Sequence, residues 1–317
     1  MRNATIYDRL IQMEMEMEMV TPETTRLGWI GTGVMGRSMC SHLLKAGYRL
    51  SIYNRSPEKM KDLIQAGAVG CSSPYEVAKQ SDVVFSMVGY PTDVEEVLLG
   101  ENGVLAGIQS GGVIVDMTTS RPGLAIRIAE ESAKRNVFAM DAPVSGGDIG
   151  AREARLSIMV GGDEEIYEKL MPIWKLLGTT FVYHGPAGSG QHTKVVNQIL
   201  IGASMIGLCE AMLYAKQSGL NPENVLKSVS SGAAGSWSLS NLTPRILRGD
   251  FKPGFFVDHI VKDLGIAIEE AQGLGLDLPG LAHARKVYEY LQSIGHGSSG
   301  TQSLILGLAK LNHVAWN

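Results

Sequence analysis

The chain is poor in cysteine. Cys40, Cys71 and Cys209 lie far apart, with no pairing or metal-ligand spacing, and each sits among small or apolar residues. That excludes a disulfide scaffold and gives no reason to expect a metal, and it fits a reduced, intracellular setting. Charge of one sign is scarce too. With 28 basic and 32 acidic residues the formal net charge is −4, so no basic surplus is on hand to draw nucleic acid or an anionic membrane. Membrane-length apolar runs are missing outside one stretch beginning at Ile199, and that one, extended, meets Glu210 and then Lys216. No internal repeat is evident. What remains is the composition of a soluble globular protein, 44% hydrophobic and 19% charged, in 317 residues, too long for one ordinary core and suited to about two domains that handle small molecules.

The first residues lack a fold pattern. Met13-Glu14-Met15-Glu16-Met17-Glu18-Met19 is a low-complexity alternation followed by Thr21-Pro22-Glu23-Thr24-Thr25. Residues 1–26 are therefore set aside as a frayed helix or flexible tail. The stretch is acidic, has no secretory apolar core and is unlike an Arg- and Ser-rich transit peptide. The expected compartment is the cytoplasm, with the mitochondrion as the alternative.

From Leu27 the pattern changes. Leu27-Gly28-Trp29-Ile30 reads as a short strand running into Gly31-Thr32-Gly33-Val34-Met35-Gly36 and then a helix through Lys45, with a second strand, Arg49 to Tyr53, at βαβ spacing. In this G-x-G-x-x-G fingerprint the glycines permit a tight turn, close approach of backbone to a pyrophosphate, and close helix-to-strand packing, while the helix N-terminus supplies N–H donors. An Asp or Glu at the end of the second strand would accept the free 2′-hydroxyl of NAD; this chain has Asn54-Arg55-Ser56 instead. With no carboxylate to repel it, a 2′-phosphate could pair with Arg55 and Ser56, so NADP(H) is preferred and NAD(H) stays second. The alternative is a solvated turn before Pro57.

Asp82 to Val88 and Gly112 to Met117 are continuous apolar runs of the kind buried in a parallel sheet. Ligands in such sheets bind outside the carboxyl ends of strands, which puts Met87-Val88-Gly89-Tyr90-Pro91 and Thr118-Thr119-Ser120 beside the cofactor. The next strand end, Met140 to Gly147, delivers Ser145, Gly146 and Gly147 to the same rim, a hydroxyl and exposed N–H groups suited to a carboxylate. One more helix and a strand, Thr180 to Tyr183, lead to Gly188-Ser189-Gly190-Gln191-His192-Thr193-Lys194-Val195-Val196-Asn197-Gln198, where two glycines break the chain and a helix follows. Lys194 sits at the mouth of that helix and shares a face with Asn197 and Gln198, whereas His192, two positions away, points elsewhere. The run from Ile199 to Cys209 is too apolar to be amphipathic and is expected to be buried on most sides. Everything beyond reads helical, with breaks at Gly219 to Pro222, Gly232 to Gly235 and Phe251 to Phe256. The expected architecture is thus α/β: a Rossmann-type doubly wound sheet over 27–187, followed by an all-helical domain over 188–317 for substrate binding and oligomerisation.

Four elements in order, Gly31 to Gly36, Asp141 to Gly147, Gly188 to Gln198, and Phe255 to Leu264 with its Val261-Lys262-Asp263-Leu264, resemble the β-hydroxyacid dehydrogenase family, which includes 3-hydroxyisobutyrate, tartronate semialdehyde and glyoxylate reductases. Among its subgroups the chain is most similar to plant 3-hydroxyisobutyrate dehydrogenase-like proteins, notably in Val88 to Pro91 and Ser231 to Ser236. The resemblance implies that Lys194 is the catalytic lysine, that Asn197 orients the substrate, that Ser145, Gly146 and Gly147 bind its carboxylate, that Thr119 and Lys262 lie on the nicotinamide side, and that Phe256 also contacts the cofactor. Many relatives carry Asn-Asn where this chain has Asn197-Gln198, although tartronate semialdehyde reductases are similar to it, and Gln198 is expected beside Asn197 as a substrate contact. The 3-hydroxyisobutyrate dehydrogenases have a Trp-Ser pair near the position of Trp237, which makes Trp237 either a pocket wall or a core or interface aromatic.

The implied chemistry is hydride transfer between a nicotinamide and a small β-hydroxy acid or its semialdehyde. The alternatives are a glyoxylate, succinic semialdehyde or tartronate semialdehyde reductase and, from another class, a non-catalytic NADP-binding protein. Family members associate through their helical domains, so the expected partners are a small carboxylate substrate and further copies in a homodimer or homotetramer.

Overall fold

A computed structural model describes residues 19–316. Six strands, β1 (Arg26–Ile30), β2 (Arg49–Tyr53), β3 (Val69–Gly70), β4 (Val83–Ser86), β5 (Val113–Asp116) and β6 (Phe138–Asp141), form one sheet in the order β3-β2-β1-β4-β5-β6. Every pairing is parallel. Chain direction across the sheet therefore reverses at β1, the switch point where α/β sheets leave a crevice for ligands. The helices that bear on the site are α1 (Val34–Lys45), α2 (Pro91–Leu99), α3 (Pro122–Ala133), α4 (Gly147–Arg152), α5 (Ser189–Gln217), α6 (Trp237–Leu247), α7 (Val257–Gly273), α8 (Pro279–Leu291) and α9 (Leu304–Leu311).

The apolar runs are strands buried on both faces. Leu27, Trp29, Val83, Phe85, Val113 and Val115 enter one core, while Ile30, Val84 and Ile114 enter the other. This is the period-two alternation of a pleated strand with helices on each side. Trp29 stacks on Phe85 at 5.5 Å between ring centroids, and Phe85 meets Trp174 edge-on at 6.4 Å, which ties β1 and β4 to the helix layer.

Two features depart from the expectation for this half. A second, three-stranded sheet, β7 (Val144–Ser145), β8 (Leu156–Val160) and β9 (Gly178–Tyr183), follows the main one, with β7 antiparallel to β8. The chain also packs before Leu27: Val20 is buried in the core, its N–H donates to the Lys169 carbonyl at 3.3 Å, and its own carbonyl accepts from the Tyr48 hydroxyl at 3.2 Å. The tail expected over 1–26 is therefore packed from Val20, and the rest of it up to residue 18 lies outside the described residues.

Beyond Gly188 the chain is helical; it breaks at the three places expected from its glycines and prolines and again at 274–278 and 297–300, where Gly300 pairs with Phe256 in an isolated β-bridge. Helix α5, 29 residues long, packs against α6, α7, α8 and α9 and is long and apolar enough to cross a membrane by length and composition. Its buried residues, among them Met205, Cys209 and Met212, form the middle of the helical core. The expectation that this helix is buried on most sides is corrected by its outer face. Val196, Leu200 and Tyr214 are 57%, 64% and 74% exposed, and Ala203 and Gly207 between them are exposed as well, giving a stripe at helical spacing.

Candidate functional site

The glycine loop fits a dinucleotide by what its missing side chains leave open. A Cβ on Gly31, where φ is +96°, would stand 2.2 Å from the Met87 carbonyl oxygen, and one on Gly36 would stand 2.0 Å from the Gly31 carbonyl oxygen. Both contacts force glycine. Gly33 faces open space, with nothing within 4 Å of a Cβ built there, and it precedes α1 without a side-chain cap or an acidic residue in the first turn. The first N–H groups of α1 and the positive end of its dipole thus face a cradle that an anionic pyrophosphate would fill. Thr32 and Asn54 frame this cradle. The Thr32 N–H donates to Asn54 Oδ1 at 2.9 Å, and Asn54 Nδ2 donates to the Ser56 carbonyl at 3.0 Å. On the β4 side, the Val88 N–H donates to Thr118 Oγ1 at 2.9 Å, holding the loops after β4 and β5 together.

Arg55 is 83% exposed and reaches Asp93, in the first turn of α2, at 3.3 Å. The expectation of a turn with no carboxylate nearby is thereby corrected: α2 supplies one from across the sheet.

The junction between the domains turns on Asp141, buried at the end of β6. Its carboxylate accepts the Gly188 N–H at 2.8 Å and the Gln191 N–H at 2.7 Å, so a strand end caps the long helix. Burial pushes this carboxyl's pKa upward, against the pull of those N–H bonds. Gly190 lets the first turn of α5 press onto the sheet, since a Cβ there would stand 2.4 Å from the Met159 carbonyl oxygen and 2.6 Å from that of Asp141. Lys194 consequently lies in the second turn of α5, inside the junction and not at its mouth. Gln191, which sequence reasoning did not single out, is 1% exposed: it donates to the Thr118 carbonyl at 2.7 Å and accepts the Ser120 N–H at 2.9 Å, fixing the segment that carries Thr119.

Lys194 is 6% exposed. Burial pushes its pKa from 10.5 down to about 8; Asp263 opposes the shift and Lys262 adds to it. Asn197 Nδ2 donates to Gln198 Oε1 at 2.7 Å, and Gln198 Nε2 donates to Asp263 Oδ2 at 2.6 Å. Both ends of the buried Gln198 amide are engaged, so it anchors Asn197 to α7. Lys262 bridges the two domains: its Nζ donates to the Thr119 carbonyl at 2.7 Å and the Gly89 carbonyl at 3.1 Å, and lies 2.9 Å from Asp263 Oδ1.

Ser145 ends β7, and Gly146 and Gly147, with φ of +127° and +62°, turn the chain into α4. No atom lies within 4 Å of a Cβ built on Gly147. The loop before Phe256 rests on α4, where a Cβ on Gly254 would stand 2.3 Å from Asp148 Oδ1. Phe256 caps α7 and meets His259 edge-on at 5.4 Å; Tyr90 meets the same imidazole at 5.6 Å. His259 was missed, although it sits midway between Phe256 and Lys262 on one helical face. Burial lowers its pKa, so it stays neutral at physiological pH. His192 is exposed beside Val196, away from the buried face that carries Lys194. Trp237 opens α6 at 54% exposure, which removes the reading of it as a core aromatic; among the described residues no hydrogen bond or ring contact ties its indole to the site.

The structure thus joins Gly89, Thr119, Lys194, Asn197, Gln198 and Lys262 around one interdomain junction. Its chemical means are a buried amine whose proton is exchangeable near neutrality, an anchored amide, and a hydroxyl with open backbone N–H groups on the rim.

Residues 26–185 match the model of the NAD binding domain of 6-phosphogluconate dehydrogenase, and residues 188–308 match that of the NAD-binding region of NADP-dependent 3-hydroxyisobutyrate dehydrogenase. The chain is 54% identical to an uncharacterized oxidoreductase, YkwC, of Bacillus subtilis, over 88% of this chain and 96% of that one. It is 51% identical to the Arabidopsis thaliana protein named "Probable 3-hydroxyisobutyrate dehydrogenase-like 1, mitochondrial", over 94% of this chain and 89% of that one. Among solved structures, a 3-hydroxyisobutyrate dehydrogenase from Salmonella typhimurium superposes with a TM-score of 0.82 at 27% identity, covering 89% of this chain and 99% of that one.

Proposed function

This chain belongs to the NAD(P)-dependent β-hydroxyacid dehydrogenase family, among its 3-hydroxyisobutyrate dehydrogenase-like members, and from that premise we propose that it interconverts a small β-hydroxy acid and its semialdehyde, with NADP(H) preferred over NAD(H). The observation that carries this reading is Lys194, an amine held in a nearly dry junction with its pKa brought to about 8. A bound nicotinamide supplies or takes the hydride at the substrate carbon.

The protein's own groups manage the oxygen and the carboxylate. As an ammonium, Lys194 stabilises charge growing on a carbonyl oxygen and gives it a proton; as an amine, it removes the proton from the alcohol in the reverse direction. Asn197, anchored through Gln198 to Asp263, orients that oxygen. Ser145 and the N–H groups of Gly146 and Gly147 hold the carboxylate. Lys262 keeps the loops bearing Gly89 and Thr119 against α7, so that the junction excludes water.

The exposed apolar stripe on α5 supports association of copies into a homodimer or homotetramer. The cytoplasm is the compartment of this reading, and the Arabidopsis relative's name supports the mitochondrion as its alternative.

The test is a panel of 3-hydroxyisobutyrate, methylmalonate semialdehyde, glyoxylate, succinic semialdehyde and tartronate semialdehyde, each paired with NADPH or NADP⁺ and with NADH or NAD⁺, ranked by kcat/KM. The expected leaders are 3-hydroxyisobutyrate and its semialdehyde. Glyoxylate, succinic or tartronate semialdehyde at the head of the ranking would overturn the substrate assignment. Tight NADPH binding without turnover of any compound would replace the enzyme with a dinucleotide-binding protein.

A further inference from the structure

The sheet order β3-β2-β1-β4 places the segments after β2 and after β4 on either side of the glycine loop that follows β1. They are the two walls of the crevice in which the adenosine half of a dinucleotide lies. One ion pair spans them. Arg55, two residues beyond β2, meets Asp93, in the first turn of α2, with Nη1 to Oδ1 at 3.3 Å.

The two partners are held differently. The Asp93 side chain is 21% exposed, and its other oxygen accepts the Tyr90 N–H at 3.0 Å, in a capping arrangement at the start of α2. The carboxylate is packed so closely that a Cβ on Gly89 would stand 3.2 Å from its Oδ2. The Arg55 side chain, at 83% exposed, is free to swing. A fixed carboxylate and a movable guanidinium therefore face each other across the crevice. From the helical domain, Lys262, Asp263 and Asp258 face the same region and His259 is neutral; Arg55 is the cation that Asp93 directly contacts.

We propose that Asp93 is a specificity-determining residue: it is the carboxylate that the end of β2 lacks, and it competes with the 2′-phosphate of NADP(H) for Arg55. A cofactor with a free 2′-hydroxyl leaves the pair intact across the crevice. A 2′-phosphate draws Arg55 away and leaves Asp93 as an unpaired like charge near a dianion. Asp93 thus narrows the preference for NADP(H) that Arg55 creates, and the chain retains use of NAD(H). The proposal rests on the reading of Arg55 as the 2′-phosphate ligand.

The experiment measures dissociation constants, not turnover. NADPH and NADH are titrated into the full chain and into Asp93→Asn, which keeps an oxygen for the Tyr90 N–H while removing the charge, with Asp93→Ser as a second neutral variant should the first not fold. The expected result is about a fivefold tightening for NADPH with NADH unchanged or weaker, an effect that shrinks in high salt as exposed ion pairs do. In an Arg55→Gln background the same substitution should move the ratio of the two constants by less than half as much. An unchanged ratio in the neutral variants, or equal shifts for both cofactors, overturns the role of Asp93. Failure of the wild type to bind either dinucleotide overturns the proposed function itself, so the two failures are told apart.

Discussion

Replacing Lys194 by Met should make the protein more stable and nearly inactive at once. Lys194 ionises near 10.5 in an unfolded chain and near 8 in the folded one, because burial disfavours the ammonium. Its folded pKa is lowered, so between pH 8 and 10.5 the unfolded state binds more protons and stability rises with pH across that window. Below about pH 8 the destabilisation is fully present. At roughly 1.4 kcal/mol per pH unit the gap corresponds to about 3 kcal/mol, an upper figure for a group that touches the cleft. Met matches the lysine stem in volume and is neutral, so at pH 7 the variant should gain up to about 3 kcal/mol in urea unfolding, and the gain should fade as pH approaches 10. Turnover should fall roughly 10²–10⁴-fold, the range for a positioned acid or base. In the wild type, carbonyl reduction should decline above about pH 8 and alcohol oxidation should rise toward it, and Lys194→Arg, whose guanidinium stays protonated, should lose that inflection. A Met variant less stable than wild type at pH 7, or with turnover within threefold of it, would refute the reasoning.

Asp141→Ala leaves the buried Gly188 and Gln191 N–H groups without their acceptor, each worth about 1–3 kcal/mol, so denaturant unfolding should show a loss of at least about 2 kcal/mol, with Asp141→Asn losing less. Trp237→Ala should lower stability by much less than the roughly 3–5 kcal/mol of a buried aromatic, given its exposure, while raising relative kcat/KM for bulkier acids; an unchanged substrate ranking removes Trp237 from the site. Leu200→Arg, in the middle of the exposed stripe on α5, should dissociate the proposed homodimer or homotetramer as read by light scattering, and a mass equal to that of the wild type rules that face out as the interface.

What could be read from the sequence was what local spacing encodes. The glycine loop, the buried strands and the three expected helix breaks depend on residues a few positions apart, and each lies where its pattern put it. The stripe of α5 escaped because hydropathy does not distinguish an apolar face turned to a neighbouring helix from one turned outward. The side chains that organise the site escaped for a related reason: their meaning lies in partners far along the chain. Gln191 is an ordinary helical amide until the fold brings Thr118 and Ser120, more than seventy positions earlier, onto its two ends. Asp93 looks like a helix-capping residue, and is one, until β2 and β4 flank β1 and set Arg55 against it. The pair Asn197-Gln198 is the clearest case. The long side chain of Gln198 carries its amide to Asp263 on α7 while its oxygen receives the Asn197 amide. A residue that looks like a second substrate contact in one helix is thereby a brace between two, and only the position of α7 decides which.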